Sequence, residues 1–169
     1  MPRRSYKKQL IKQDEVYQSY EITKLINYIM LDGKKTIARE LVYKTMRKIE
    51  EKKMDPVEVV KTALKNIAPS MEVKPRRVGG ASYLVPQETR GERKLFLAFN
   101  WIIEAAKKRS NSKYHTFDAK LLDELLDAYK NEGGAVEKRK SVERSASEPQ
   151  PPPRLSLLPV LFDAIKIRE

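Results

Sequence analysis

Apolar residues recur along most of this chain at intervals of three and four, and one stretch breaks that rhythm with an alternating, extended pattern. Ile22, Leu25, Ile26 and Ile29 form a helical stripe that Ser19 is placed to cap and Asp32-Gly33 to stop. Beyond Lys34-Lys35, Ile37, Leu41, Val42, Met46 and Ile49 predict a second helix. Asp55-Pro56-Val57-Glu58 marks the start of a third: the aspartate caps, proline takes the first helical position, and the glutamate sits where it can reach back. Val57, Val60, Leu64 and Ile67 then face a core until Ala68-Pro69. Glu92 to Arg109 carries Leu95, Ala98, Phe99, Ile102 and Ala106 on one face. Thr116 opens a helix with Leu121, Leu122, Leu125, Leu126 and Tyr129, closed near Asn131 and Gly133-Gly134. A last, mostly polar helix runs from about Ala135 to Arg144. The expected fold class is all-α (mainly α), a bundle of about six helices with a protruding two-stranded β-hairpin.

The hairpin is the break in the pattern, near residues 72–87. Gly79-Gly80 between two β-rich runs reads as a two-residue type I′ loop, which needs positive φ at both central residues. That loop pairs Val78 with Ala81, Arg77 with Ser82, Arg76 with Tyr83, Pro75 with Leu84 and Val73 with Pro86. Both prolines then fall at non-hydrogen-bonded sites, and they block either edge from recruiting another strand. Lys74, Arg76 and Tyr83 share one face, and Arg77 points to the other. An isolated ribbon of two strands is marginal in water. Two guanidiniums near its tip suggest completion by a polyanion, against the plainer reading of a charged surface hairpin.

Charge favours the polyanion. The chain holds 35 Lys+Arg and 23 Asp+Glu in 169 residues, a formal charge of +12. Residues 1–13 carry five basic and no acidic side chains, and residues 72–113 carry ten basic and four acidic. The remainder is close to neutral. Charge gathered in a tail, a ribbon and one helix is the footprint of a phosphate-binding surface.

The length suits one domain, large enough to bury roughly 68–70% of its unfolded surface. No cysteine is present, which excludes disulfides, thiolate metal sites and a thiol nucleophile. No apolar run is long enough to span a bilayer, and Met1-Pro2-Arg3-Arg4 lacks the apolar core of a secretion signal, so a soluble intracellular protein without membrane contact is expected. Catalytic groups do not assemble. His115 is the only histidine and reads as structural or merely exposed. Asp118, Asp123, Glu124 and Asp127 read as the solvated face of one helix rather than a metal cluster. Gly33-Lys34-Lys35 lacks the upstream glycine of a phosphate loop. Trp101 and Phe99 read as core residues more readily than as base-stacking ones, whereas Tyr83, beside Arg76, is the better stacking candidate. No enzyme, cofactor or metal is expected.

Several motifs occur together in order. Leu25-Ile26, Asp32-Gly33-Lys34-Lys35 and Leu41-Val42 are followed by Glu72-Val73-Lys74-Pro75-Arg76-Arg77-Val78-Gly79-Gly80 with Tyr83 and Val85-Pro86. Trp101-Ile102-Ile103-Glu104-Ala105-Ala106-Lys107-Lys108-Arg109 and Asn131-Glu132-Gly133-Gly134-Ala135-Val136-Glu137-Lys138-Arg139 complete the set. Together they resemble the family of the seventh small-subunit ribosomal protein, bacterial type, from Met1 to about Arg144. The resemblance implies a helical domain that binds the 3′ major domain of small-subunit ribosomal RNA and nucleates assembly of the subunit head. It implies a hairpin beside the exit-site transfer RNA and the messenger RNA path, with neighbouring head and platform ribosomal proteins as further partners. Some members also repress translation of their own messenger. The location implied is the ribosome of the cytoplasm, or of the stroma or matrix of an organelle.

Carried over by position and joined to the charge count, the ribosomal RNA-contact candidates are Arg3, Arg4, Lys7, Lys8, Lys34, Lys35, Lys74, Arg76, Arg77, Arg93, Lys94, Lys107, Lys108, Arg109 and Lys113. Val78, Gly79, Gly80, Ala81 and Tyr83 form the hairpin tip expected near the exit-site transfer RNA. Phosphate contacts and RNA shape are expected to dominate over base reading.

The expected organisation is an RNA-binding domain over 1–144 and a divergent tail over 145–169. In the family the last helix continues into an alanine-rich tail, whereas this chain turns into Ser145-Ala146-Ser147-Glu148-Pro149-Gln150-Pro151-Pro152-Pro153. Three consecutive prolines enforce an extended segment. Leu155 to Ile167 is apolar but broken by Pro159, open either to docking on a neighbour or the bundle or to no such role. The alternative function is a DNA-bending architectural protein, which extends a similar ribbon but usually carries an apolar wedge at the tip. A scaffold whose basic surface meets acidic proteins is the other.

Overall fold

The computed structural model describes residues 11–78 and 81–147, with Val78, Ala81 and Tyr83 as backbone only. Its elements are α1 (Tyr20–Ile29), α2 (Lys35–Glu51), α3 (Pro56–Ile67), β1 (Met71–Val78), β2 (Ala81–Glu88), α4 (Gly91–Lys108), α5 (Phe117–Tyr129) and α6 (Gly134–Ser147). The mainly helical fold with one antiparallel hairpin is the class that the apolar pattern predicts. α6 runs three residues past Arg144 and buries Ala146. The Gly79-Gly80 turn, the basic residues Arg3, Arg4, Lys7 and Lys8, and the proline-rich tail beyond Ser147 lie outside the described residues. Among the described residues, no helix is long and apolar enough to cross a membrane.

One core joins all six helices. Ile22, Leu25 and Ile26 of α1, Val42, Met46 and Ile49 of α2, and Val60, Leu64 and Ile67 of α3 meet Phe99 and Ile102 of α4, Leu121 and Leu125 of α5, and Val136 of α6. Full burial of each large aliphatic side chain stabilises by about 1.5–3 kcal/mol. Trp101 is buried in the same core, as its helical spacing implies. Ile37, Leu95 and Tyr129 of the predicted stripes do not join it. Ile37 in the first turn of α2 is 62% exposed, Leu95 of α4 is 39% exposed, and Tyr129 at the end of α5 is 37% exposed.

Caps and long-range bonds fix how the helices sit. Asp55 accepts from Val57 N at 2.9 Å and so caps α3, but no return bond from Glu58 is present among the described residues. Ser19 and Thr116 occupy the N-cap positions of α1 and α5 without side-chain cap bonds; the Ser19 hydroxyl donates to Glu21 instead. Asn66 Nδ2 donates to the carbonyls of Ala128 and Tyr129 at the end of α5, where Ala128 also accepts from the amide of Asn131. Asp14 accepts from the Tyr43 hydroxyl and from the amides of Val16 and Tyr17, tying the chain before α1 to α2.

The hairpin register agrees at all five predicted pairs, from Val78 opposite Ala81 to Val73 opposite Pro86. At its root Thr89 N donates to Ser70 O at 3.1 Å. Glu143 of α6 accepts from both the amide and the hydroxyl of Ser70, at 2.9 and 2.8 Å. The strands therefore leave the bundle from a fixed base.

Candidate nucleic-acid interface

Strand alternation places Glu72, Lys74 and Arg76 on one face of β1 and Arg77 on the other. Glu72 is buried at the root, where Lys74 Nζ lies 3.0 Å from one of its oxygens and Arg93 Nε 3.2 Å from the other. Burial pushes the Glu72 carboxyl up, but hydrogen bonds and charge from Lys74 and Arg93 outweigh it and hold the group below the usual carboxylate range. Two of the candidate cations thus have a structural partner, while Arg76 and Arg77 further out are exposed. Neither guanidinium is in an ion pair among the described residues, so both are free to meet an anion.

A second group of cations lies away from the hairpin. Asp32 and Gly33, with φ of +52° and +73°, form the turn that presents Lys34 and Lys35. α2 has no acidic residue in its first turn, so the positive end of its dipole adds to the two exposed lysines. The structure brings Lys34 to Lys107 of α4 across a groove of about 320 Å³ that also takes in Leu31, Ile37 and Phe117. Lys113 is exposed in the loop after α4, where its ammonium lies 5.3 Å from the centre of the Tyr114 ring.

Arg109 is placed differently from the other candidates. Its guanidinium meets Asp123 at 2.5 Å, Glu124 at 2.8 Å and Asp127 at 2.5 Å. These carboxylates do not form the solvated face that helical interleaving suggests: Glu124 is 2% exposed, and Asp118, the fourth, pairs with Lys48 at 2.5 Å. Lys108 pairs with Glu104, which also receives Lys138. Hydrogen bonds from Lys138 and Lys108 hold the Glu104 carboxyl down to about 2. At the end of α4, Lys107 is therefore the cation that stands clear.

Sequence reasoning passed over a third group. Lys24 on α1 and Arg90 before α4 join Arg93 around a groove that contains Tyr20 and Phe96. Lys61 and Lys65 of α3 stand with Lys94 around a smaller groove. Leu95 lines both, so the two grooves adjoin. The i, i+4 spacing of Lys61 and Lys65 is legible as a basic stripe, but the near balance of charge over 14–71 conceals it. His115 is exposed in the loop before α5.

Comparison with known proteins gives the family of the chain. The profile of the family described as Ribosomal protein S7p/S5e matches residues 1–149. The small ribosomal subunit protein uS7 of Halorhodospira halophila (strain DSM 244 / SL1) is 44% identical over 147 residues, covering 86% of this chain and 93% of the relative. The protein uS7c of Tupiella akineta is 46% identical over 145 residues, covering 85% and 91%. The uS7 protein of Caldicellulosiruptor bescii is 45% identical over 148 residues, covering 86% and 93%. With a match over most of its length and relatives well above 30% identity, the chain belongs to the ribosomal protein S7p/S5e family.

Proposed function

We propose that this structural constituent of the small ribosomal subunit binds the 3′ major domain of small-subunit ribosomal RNA and helps to nucleate assembly of the subunit head. In this reading the hairpin reaches toward the exit-site transfer RNA and the messenger RNA path. The observation that carries it is the pair Arg76 and Arg77, exposed and without an ion-pair partner among the described residues, on a ribbon whose root is fixed to α6. A ribbon held at its base and charged near its far end is preorganised for a folded RNA, so little order has to be imposed on binding. Lys34, Lys35 and Lys107 extend the phosphate-binding surface, with Arg3, Arg4, Lys7 and Lys8 of the basic tail as further contacts. Arg109 and Lys108 contribute less, because each is engaged by carboxylates. Repression of the protein's own messenger follows if that messenger offers the same fold of RNA.

The test is binding of the purified chain to the 3′ major domain RNA across a salt series, with an unrelated folded RNA and bent duplex DNA as competitors. Binding that survives both competitors is expected. Equal binding to all three would reduce the protein to a general polyanion binder, and preference for bent DNA would favour the architectural alternative.

A further inference from the structure

Tyr20 of α1 and Phe96 of α4 keep 38% and 39% of their surface exposed, and both line a groove of about 830 Å³. Its inner wall is Tyr28, stacked on the buried Phe99 with ring centres 5.1 Å apart and planes 20° from parallel. Tyr28 also meets Phe96 edge to face at 5.9 Å. Three cations line the groove, Lys24, Arg90 and Arg93; Arg93 is paired with Glu72, which leaves Lys24 and Arg90 against one carboxylate of the lining, Glu92. Two of them lie over the rings: Lys24 Nζ is 5.3 Å from the centre of Tyr20, and Arg93 Cζ is 5.0 Å from the centre of Phe96. The chain enters the fold along this groove, through Ile11 and Gln13.

Exposed aromatic rings alone would suit an apolar peptide as well as a base. The cations decide between them, because an apolar peptide leaves an excess of positive charge uncompensated, whereas a nucleotide brings an aromatic plane and a phosphate together. We propose that this groove binds an unpaired nucleotide of the RNA, its base stacked on Phe96 or Tyr20 and the flanking phosphates on Lys24 and Arg90. The inference rests on the RNA-binding reading above and adds a site that the hairpin and the lysine turn do not include. Stacking of a base on an aromatic side chain is stronger than an exposed cation–π contact. An incoming base therefore displaces the ammonium from Tyr20 and frees it to turn toward phosphate. Arg93 remains tied to Glu72, which links the groove to the hairpin root.

The test uses the full chain carrying Phe96→Trp as a reporter; Trp101, 6% exposed, supplies a shielded background. The reporter should be open to acrylamide in the free protein, and adding the 3′ major domain RNA should shield it. In separate chains, Phe96→Leu and Tyr20→Leu keep apolar volume without the ring. The variant that removes the stacking ring should weaken RNA binding about fivefold or more, with the salt slope unchanged. Lys24→Gln should lower that slope by about one unit. A thermal melt of each variant separates loss of the site from loss of the fold. Native affinity in both leucine variants, with Arg76→Ala/Arg77→Ala still weakened, would overturn the groove and leave the RNA reading standing. Unaltered binding in the arginine variant as well would count against both. A reporter already shielded in the free protein would assign the groove to the chain's own tail. Shielding by nuclease-treated ribosomal proteins but not by RNA would assign it to a protein partner, and either result overturns the proposal.

Discussion

Arg109 and Glu124 hold three helices together through one carboxylate. The Arg109 Nε donates to Glu124 Oε2 at 2.8 Å, while Oε1 of the same side chain accepts from the amide of Ala135 at 3.0 Å. The end of α4, the middle of α5 and the first turn of α6 thus share a buried acceptor. Arg109→Ala leaves that carboxylate buried without its charge partner, and a loss of about 3 kcal/mol is expected. Urea unfolding measures it. Binding to RNA at a temperature where the variant is folded should keep the native salt slope, since this guanidinium faces carboxylates rather than solvent. A lower slope with native stability would return Arg109 to the RNA surface.

Gly133 stands against the same network. Its φ is +92°, and a Cβ there would come within 3.1 Å of both Asp127 Cβ and Glu124 Oε1. Gly33 has a similar φ of +73°, but a Cβ would meet nothing within 4 Å. Gly33→Ala should therefore cost only the backbone strain, about 1 kcal/mol. Gly133→Ala should cost distinctly more, because Glu124 must give way. Equal melting temperatures in the two variants would contradict this account.

The hairpin arginines should behave in the opposite way to Arg109. Arg76→Ala/Arg77→Ala removes two exposed side chains, so a change in stability within about 0.5 kcal/mol is expected. The slope of log affinity against log salt should fall by about one unit for each phosphate that the variant no longer neutralises. A native slope would move the binding surface off the ribbon.

Stability should fall at both ends of the pH range. Glu104 is held down to about 2 from an ordinary 4.5, and Glu72, Asp118 and Glu143 are also lowered. A depressed carboxylate stabilises fully above its unfolded value, and the contribution is lost as pH falls through the folded one. The melting temperature should thus drop between about pH 4.5 and 2. Tyr17 gives the alkaline limb: burial, aided by Glu50, pushes its phenol up from 10.0 to about 12. The unfolded chain then loses its proton first, and stability falls as pH rises through that interval. A melting temperature constant from pH 3 to pH 11 would refute both limbs.

What could be read from the chain divides along the range of the interactions. The hairpin register follows from a local rule, since two glycines between extended runs fix every pair outward, and all five predicted pairs occur. The core faces of α1 and α3 follow from period alone. Periodicity fails at Ile37, Leu95 and Tyr129, because it shows which side of a helix is apolar but not which positions along it a neighbouring element covers. It fails again at Glu124, whose partner lies 15 residues away on another element. The hairpin cations were visible as a local excess of charge. The Lys24, Arg90 and Phe96 groove was not, because it is assembled from two helices whose segments look ordinary when read separately.

The hydrogen bonds from Ser70 to Glu143 span 73 residues. At a synthesis rate of about 5–20 residues per second, Glu143 emerges roughly 4–15 seconds after Ser70. Until then the ribbon has its local pairing but lacks the anchor that sets its direction. Correct aim thus arrives well after the ribbon itself has been made, and a nascent chain presents its arginines to RNA in a defined pose only once α6 has been made.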